Sequence, residues 1–288
     1  YYQKHRDRVK IITHDLSAML PEHTKREIGY VDYILNIASD SHVDRSIIDP
    51  VPLIKNNVAL VLSMLEFARE FKPKLFLQFS TDETFGAAPG NIAFKEWSTL
   101  LPSNPYSGSK AAQESISYSY WRTFGVPLII TNLVNAFGER QDPEKFMAKC
   151  IKFISSGDTV IIHGNENHIG SRFYIHARNV ADALLFIVKN LPPTLFSDEV
   201  DRPDRYNITS DYEVDNLTVA KLIAKYLGKK LKYELEDFHK SRPGHDRRYG
   251  LDGTKLKELG WVCPMNFEES LERYVKWSVL PENIKWLN

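Results

Sequence analysis

The 288-residue chain is 43% hydrophobic and 26% charged, an ordinary composition for a globular protein. Its 37 Lys and Arg balance 37 Asp and Glu, which excludes a basic field of the kind that gathers nucleic acid or an anionic membrane surface. Cys150 and Cys263 lie far apart and outside any CxxC spacing, so neither a zinc site nor a disulfide framework is expected, and no metal is called for. No uninterrupted apolar run reaches the ~18 residues of a membrane span. The opening YYQKHRDRVK is polar and charged, unlike a signal peptide. Cytoplasmic residence is the default expectation. The first residue is not Met, so the chain reads as a piece of something longer.

VKIIT (9–13) predicts a short strand. A polar segment with helical character follows, and VDYILNIA (31–38) predicts a second strand. NNVALVLSMLEFAREF (56–71) has apolar residues at helical spacing and no Gly or Pro. In KLFLQFS (74–80), Leu75, Leu77 and Phe79 alternate against Phe76 and Gln78, a buried-strand pattern. PYSGSKAAQESISYSYWRTFG (105–125) reads as a helix capped by Asn104, begun by Pro105 and stopped by Gly125. VPLIITNLVNAFG (126–138) is another apolar strand. Strands alternating with helices predict an α/β fold, a Rossmann-like, doubly wound parallel sheet covered on both faces.

Beyond residue 140 the pattern loosens. Helices are predicted at 147–157, 177–191, 216–228, 254–261 and 266–279, and strands at 158–164, 205–210 and 230–238. Residues 192–204 are the most loop-like. The chain therefore divides into a first domain at 1–140 and a smaller C-terminal α+β lobe at 141–288, some of whose elements return to the first.

Two clusters carry chemistry. FSTDETFG (79–86) places Thr81, Asp82 and Glu83 together at the end of a buried strand. Adjacent carboxylates repel each other and resist desolvation, so by itself the triplet reads as a charged, solvated turn. In NPYSGSK (104–110), Tyr106 and Lys110 are four apart and share one helical face. An ammonium beside a phenol favours the phenolate and lowers its pKa from ~10, so such a tyrosine can accept a hydroxyl proton near neutral pH. A YxxxK pattern alone is common by chance.

Taken in order, ILNIASDSHVDRSI (34–47), STDE (80–83), PYSGSK (105–110), NAFG (135–138) and SRPGHDRRYGLD (241–252) resemble the extended short-chain dehydrogenase/reductase superfamily. Within it the likeness is to the nucleotide-sugar 4,6-dehydratases, most of all those acting on dTDP-glucose, and it covers nearly the whole chain. The resemblance implies that Tyr106 removes the sugar O4 proton, that Lys110 holds the phenolate and a cofactor ribose, and that Thr81 hydrogen-bonds near O4. It further implies that Glu83 abstracts the C5 proton and that Asp82 protonates the departing C6 hydroxyl. For the cofactor, NAD, it implies Asp15 at the adenine, Ile37, Ala38 and Ser39 along the diphosphate and ribose, and Asn56, Tyr106 and Lys110 on the nicotinamide side. For a nucleotide-diphosphate hexose it implies Ser41, Thr81, Asn135, Lys145 and Phe146 of PEKF, Arg172, and Arg242 and His245 of RPGH. Relatives commonly pair the YxxxK helix and the helix before it with their copies. The 56–71 helix carries Val58, Leu62, Leu65, Phe67 and further apolar residues around much of its circumference, so a homodimer is expected.

The chain also departs from the pattern. No GxxGxxG turn precedes the first strand; the N-terminal βαβ part that would carry it, on the order of forty to sixty residues, is expected to be missing. Gly170 stands where the family has an Arg, with Arg172 the candidate replacement. Tyr212 and Ala136 replace Asn residues, and Phe85 replaces a Tyr. Two alternatives stay open. A 4-epimerase or uronic acid decarboxylase of the same superfamily would share YxxxK but usually lacks the paired Asp-Glu. A degenerate, non-catalytic nucleotide-sugar-binding protein would explain the lack of a Gly-rich turn, but the intact Thr81, Asp82, Glu83, Tyr106 and Lys110 oppose it.

Overall fold

The computed structural model describes residue 5 and residues 7–237 and 246–288. The first half runs α1 (Glu22–Ile28), β1 (Tyr33–Asn36), α2 (Val43–Ile48), α3 (Pro50–Phe71), β2 (Leu75–Phe79), a 3₁₀ turn (Asp82–Phe85), α4 (Pro105–Phe124), β3 (Leu128–Leu133) and β4 (Asn135–Phe137). The second runs α5 (Phe146–Ser156), β5 (Thr159–Asn165), β6 (His168–Ile169), β7 (Ser171–His176), α6 (Ala177–Asn190), β8 (Asp204–Ile208), β9 (Glu213–Asp215), α7 (Asn216–Leu227), β10 (Lys232–Glu236), α8 (Thr254–Glu258) and α9 (Phe267–Ser278).

The central sheet has the order β1-β2-β3-β8 and every pairing in it is parallel. Strand alternation splits its side chains between two apolar layers. Ile34, Phe76, Leu128 and Ile130 meet Leu60, Val61 and Leu65 of α3 and Tyr120 and Trp121 of α4 on one face. Leu75, Leu77, Ile129 and Leu133 meet Val180, Ala183, Leu184 and Ile187 of α6, with Leu256 of α8, on the other. A third core joins α5, α7 and α9 over Val160 and Ile162 of β5. Around it lie two three-stranded sheets, β10-β5-β6 and β4-β7-β9.

Four expectations are corrected. Residues 9–13 form no strand: a ladder needs a neighbour, none of the described strands pairs with them, and Val9 and Ile11 are exposed. The apolar run 126–138 breaks at Val134, whose N–H goes to Ile208 O; β3 stays in the central sheet while β4 pairs with β7. β4 and β8 thus cross the 140 boundary in opposite directions. The α3 helix is longer than predicted and, by length and composition alone, apolar enough to cross a membrane. It nevertheless lies along α4 with Leu53, Leu60, Val61, Leu65 and Phe67 buried, as a core helix does. Leu65 and Phe67 therefore belong to the chain's own core, while Val51, Ile54 and Leu62 of the same helix are exposed.

Candidate active site

The site forms at the carboxyl end of β2, where open parallel sheets present their ligand sites. Thr81 caps the 3₁₀ turn, its hydroxyl accepting from Glu83 N at 3.4 Å and donating to Asp82 Oδ1 at 3.1 Å. Asn132 of β3 donates to Thr81 O at 3.2 Å and to Thr84 Oγ1 at 3.3 Å, so the neighbouring strand holds the turn. Asn104 starts α4 through a capping box in which its Oδ1 accepts from Ser107 N at 2.9 Å. Pro105 follows, and Gly125, left-handed at φ 66°, ends the helix as its sequence requires. The expected neighbours are brought together: Thr81, Asp82, Glu83, Tyr106 and Lys110 are all buried.

Burial dominates the electrostatics. It pushes the Asp82 carboxyl up to about 7, with the adjacent Glu83 adding to it and Arg172 opposing. Asp82 Oδ2 has no hydrogen-bond partner among the described residues. Burial also raises Glu83, against a hydrogen bond from Asn104 and the nearby Arg172 and Lys145. It lowers Lys110 to about 8. The Tyr106 phenol moves opposite to the expectation: desolvation, then Glu83 and Asp82, push it well above its ordinary range, and only a hydrogen bond with Thr81 opposes. Lys110 instead spends two N–H donors on Phe79 O at 2.7 Å and Gln113 Oε1 at 2.6 Å.

Beneath these groups runs a polar chain that sequence patterning missed. Asn36 Nδ2 donates to Gln78 Oε1 at 2.8 Å, and Gln78 Nε2 to Gln113 Oε1 at 3.1 Å. Gln113 Nε2 then donates to Asn57 O at 2.6 Å, and Asn57 Nδ2 to Ser109 Oγ at 2.9 Å. The available signal was a polar residue inside an apolar pattern, such as Gln78 in KLFLQFS. Glu114, Arg205, Asn104 as a partner of Glu83, and Tyr249 were missed for the same reason: their partners are distant in sequence.

Of the other candidates, Asp15 is exposed at a turn, its carboxylate held low by the hydroxyl and then the N–H of Ser17. Ile37 and Ala38 are exposed just past β1, and Ser39 is half-buried beside them. Asn56 donates to Asn57 Oδ1 at 3.2 Å. Lys145 donates to Ser41 O at 2.7 Å; burial lowers its pKa and Glu83 opposes. Phe146 begins α5 and packs on the third core. Asn135 Oδ1 is buried without a partner among the described residues. Arg172 is buried with its guanidinium on the carbonyls of Ser171, Asp246 and Arg247 and over the Tyr249 ring at 4.5 Å. Arg242 and His245 lie outside the described residues. His42, Asp142 and Glu144 bring three ligand-type atoms within 4.8 Å, but Arg45 already pairs with Glu144 at 2.8 Å.

Residues 2–274 match the family described as GDP-mannose 4,6 dehydratase. A low-salt glycan biosynthesis protein, Agl12, of Haloferax volcanii is 35% identical over 248 residues, 86% of this chain and 76% of the relative. A dTDP-glucose 4,6-dehydratase of Haemophilus influenzae is 33% identical over 266 residues, 85% of this chain and 75% of the relative. The crystal structure of DesIV, a dTDP-glucose 4,6-dehydratase from Streptomyces venezuelae with NAD and TYD bound, superposes with a TM-score of 0.77 at 28% identity, covering 91% of this chain and 77% of that one. A UDP-glucose 4-epimerase of Thermus thermophilus in complex with NAD reaches the same TM-score of 0.77 at 24% identity, over 88% and 79% of the two chains, a likeness of fold.

Proposed function

Because the chain belongs to the GDP-mannose 4,6 dehydratase family of extended short-chain dehydrogenases/reductases, we propose that it is an NAD-dependent lyase acting on a nucleotide-activated hexose. It removes water from the sugar and gives the 4-keto-6-deoxy product. The substrate is dTDP- or UDP-glucose-like, in keeping with relatives named for those sugars.

The residues at the head of the sheet fit the cofactor. An ammonium has three donors, and Lys110 spends two on the protein, which leaves one for a ribose hydroxyl. Ile37 and Ala38 are exposed at the strand end, where a dinucleotide can run across them. Ser39, Asn56 and Tyr106 complete the set, with Asp15 toward the adenine. When bound, NAD supplies the hydride acceptor for C4 and the hydride donor for C6, so it is regenerated in each turnover.

The protein's own residues handle the protons. Burial holds Tyr106 as the neutral phenol, so it acts once ionised: the nearby Lys110 ammonium favours the phenolate, which takes the O4 proton beside Thr81 and becomes the neutral phenol as the hydride leaves C4. With C4 a ketone, the C5 proton is acidic and the Glu83 carboxylate removes it. Asp82 delivers its proton to the C6 hydroxyl, which leaves as water. The carrying observation is the Asp82/Glu83 pair: side by side, both buried, the acid with an oxygen unpartnered among the described residues and a pKa near neutrality, the base hydrogen-bonded. Asn135, whose Oδ1 has no partner among the described residues, and Ser41, Lys145 and Phe146 are assigned to the hexose and diphosphate side, with Arg242 and His245 for the diphosphate. Arg172 acts at one remove, by holding residues 246–247.

The wild-type enzyme turning over in D₂O should place deuterium at C5 of a 4-keto-6-deoxy sugar. Glu83→Gln should still oxidise C4, so NADH absorbance persists while product formation falls on the order of 10²–10⁴-fold. A C4 epimer released without solvent deuterium would refute this reading.

A further inference from the structure

We propose that Asn104 and Tyr249 are positioning residues for Glu83, gripping one carboxylate oxygen so that the other is aimed at the substrate proton. This rests on the dehydratase reading above. Both reach the same atom: Asn104 Nδ2 donates to Glu83 Oε2 at 3.3 Å and the Tyr249 hydroxyl donates to it at 3.4 Å. Among the described residues, Oε1 accepts no hydrogen bond. All three residues are buried, so water does not easily replace either donor.

Each grip serves a second purpose. The Asn104 amide caps α4 with its oxygen while holding Glu83 with its nitrogen. One planar group therefore sets the base of the elimination relative to the helix bearing Tyr106 and Lys110. Tyr249 arrives from the far end of the chain. Its ring lies under the Arg172 guanidinium at 4.5 Å, and its oxygen accepts from Asp246 N at 3.4 Å while its hydroxyl donates to Glu83 Oε2. Carboxylates held this way keep one geometry through turnover and favour the ionised form that a base needs.

Asn104→Ser keeps a good helix cap and loses only the amide donor. Tyr249→Phe keeps the ring under Arg172 and loses only the hydroxyl. In both, the rate of C4 oxidation, read as NADH absorbance in a single turnover, should stay near wild type, as should the melting temperature. Elimination, read as deuterium incorporation at C5, should slow roughly 10- to 100-fold. In Asn104→Ser the acid limb of kcat should move to higher pH, because the lost donor favoured the carboxylate. Unchanged elimination with an unchanged acid limb would overturn the proposal. Equal loss of both steps with a lowered melting temperature would overturn it too, since that is what a purely structural role gives. A wild-type enzyme that releases a C4 epimer would overturn the dehydratase reading itself, and the proposal with it.

Discussion

Glu114 and Arg205 should be the most sensitive pair outside the reacting groups. Arg205 Nη2 donates to Glu114 Oε2 at 2.5 Å, and both side chains are almost fully buried. Glu114 Oε1 also accepts from Asn132 Nδ2 at 3.0 Å and from the Ser80 hydroxyl. Arg205 Nη1 donates to Glu96 O at 3.1 Å, and its guanidinium covers the Trp97 ring at 4.4 Å. The pair ties α4 to β8 directly beneath the triplet. Glu114→Ala leaves a buried guanidinium without its counterion, which costs about 3–5 kcal/mol. Unfolding entropy near 2.1 cal/mol/K per residue is about 0.6 kcal/mol/K for 288 residues, so the melting temperature should fall by roughly 5–8 °C. Calorimetry at neutral pH measures this directly. Replacing Glu114 and Arg205 together by Met should cost less than either single change, because no charge is then stranded. A loss below about 1 kcal/mol in Glu114→Ala would show that water solvates the pair and that the reasoning fails.

Because Asp82 must donate a proton and its carboxyl is pushed up to about 7, kcat should fall as pH rises through that value. The same raised pKa means that Asp82 favours the folded state fully below its ordinary 3.8 and loses that contribution as pH rises through about 7; Asp82→Asn should therefore raise the melting temperature in mild alkali and not in acid. Gly86 has φ 76°, and a Cβ there would lie 2.3 Å from Leu101 O, so Gly86→Ala should cost more than about 2 kcal/mol in urea unfolding. We propose that the exposed Val51, Ile54 and Leu62 of α3 form part of the face of the homodimer expected from the sequence; light scattering should give a dimer for wild type and a monomer for Leu62→Glu.

Sequence alone determined whatever is set by a residue and its near neighbours. The alternation in KLFLQFS made β2, and the Asn104-Pro105 start and Gly125 stop bounded α4 as found. The four-residue spacing placed Tyr106 and Lys110 on one turn, and STDE followed β2 as the order of motifs required. Only the tertiary structure decided what depends on distant partners. VKIIT has strand composition but pairs with none of the described strands, while β8, from the second half, pairs with β3. Spacing put an ammonium near Tyr106, but the phenol answers to desolvation and to two carboxylates, and Lys110 to a carbonyl and Gln113. Tyr249 reaches Glu83 across 166 residues of chain. A local pattern fixes the backbone and the face a side chain takes; which charge it meets, and in how little water, is known only once the sheet, the helices and the C-terminal segment have closed over the same few ångströms.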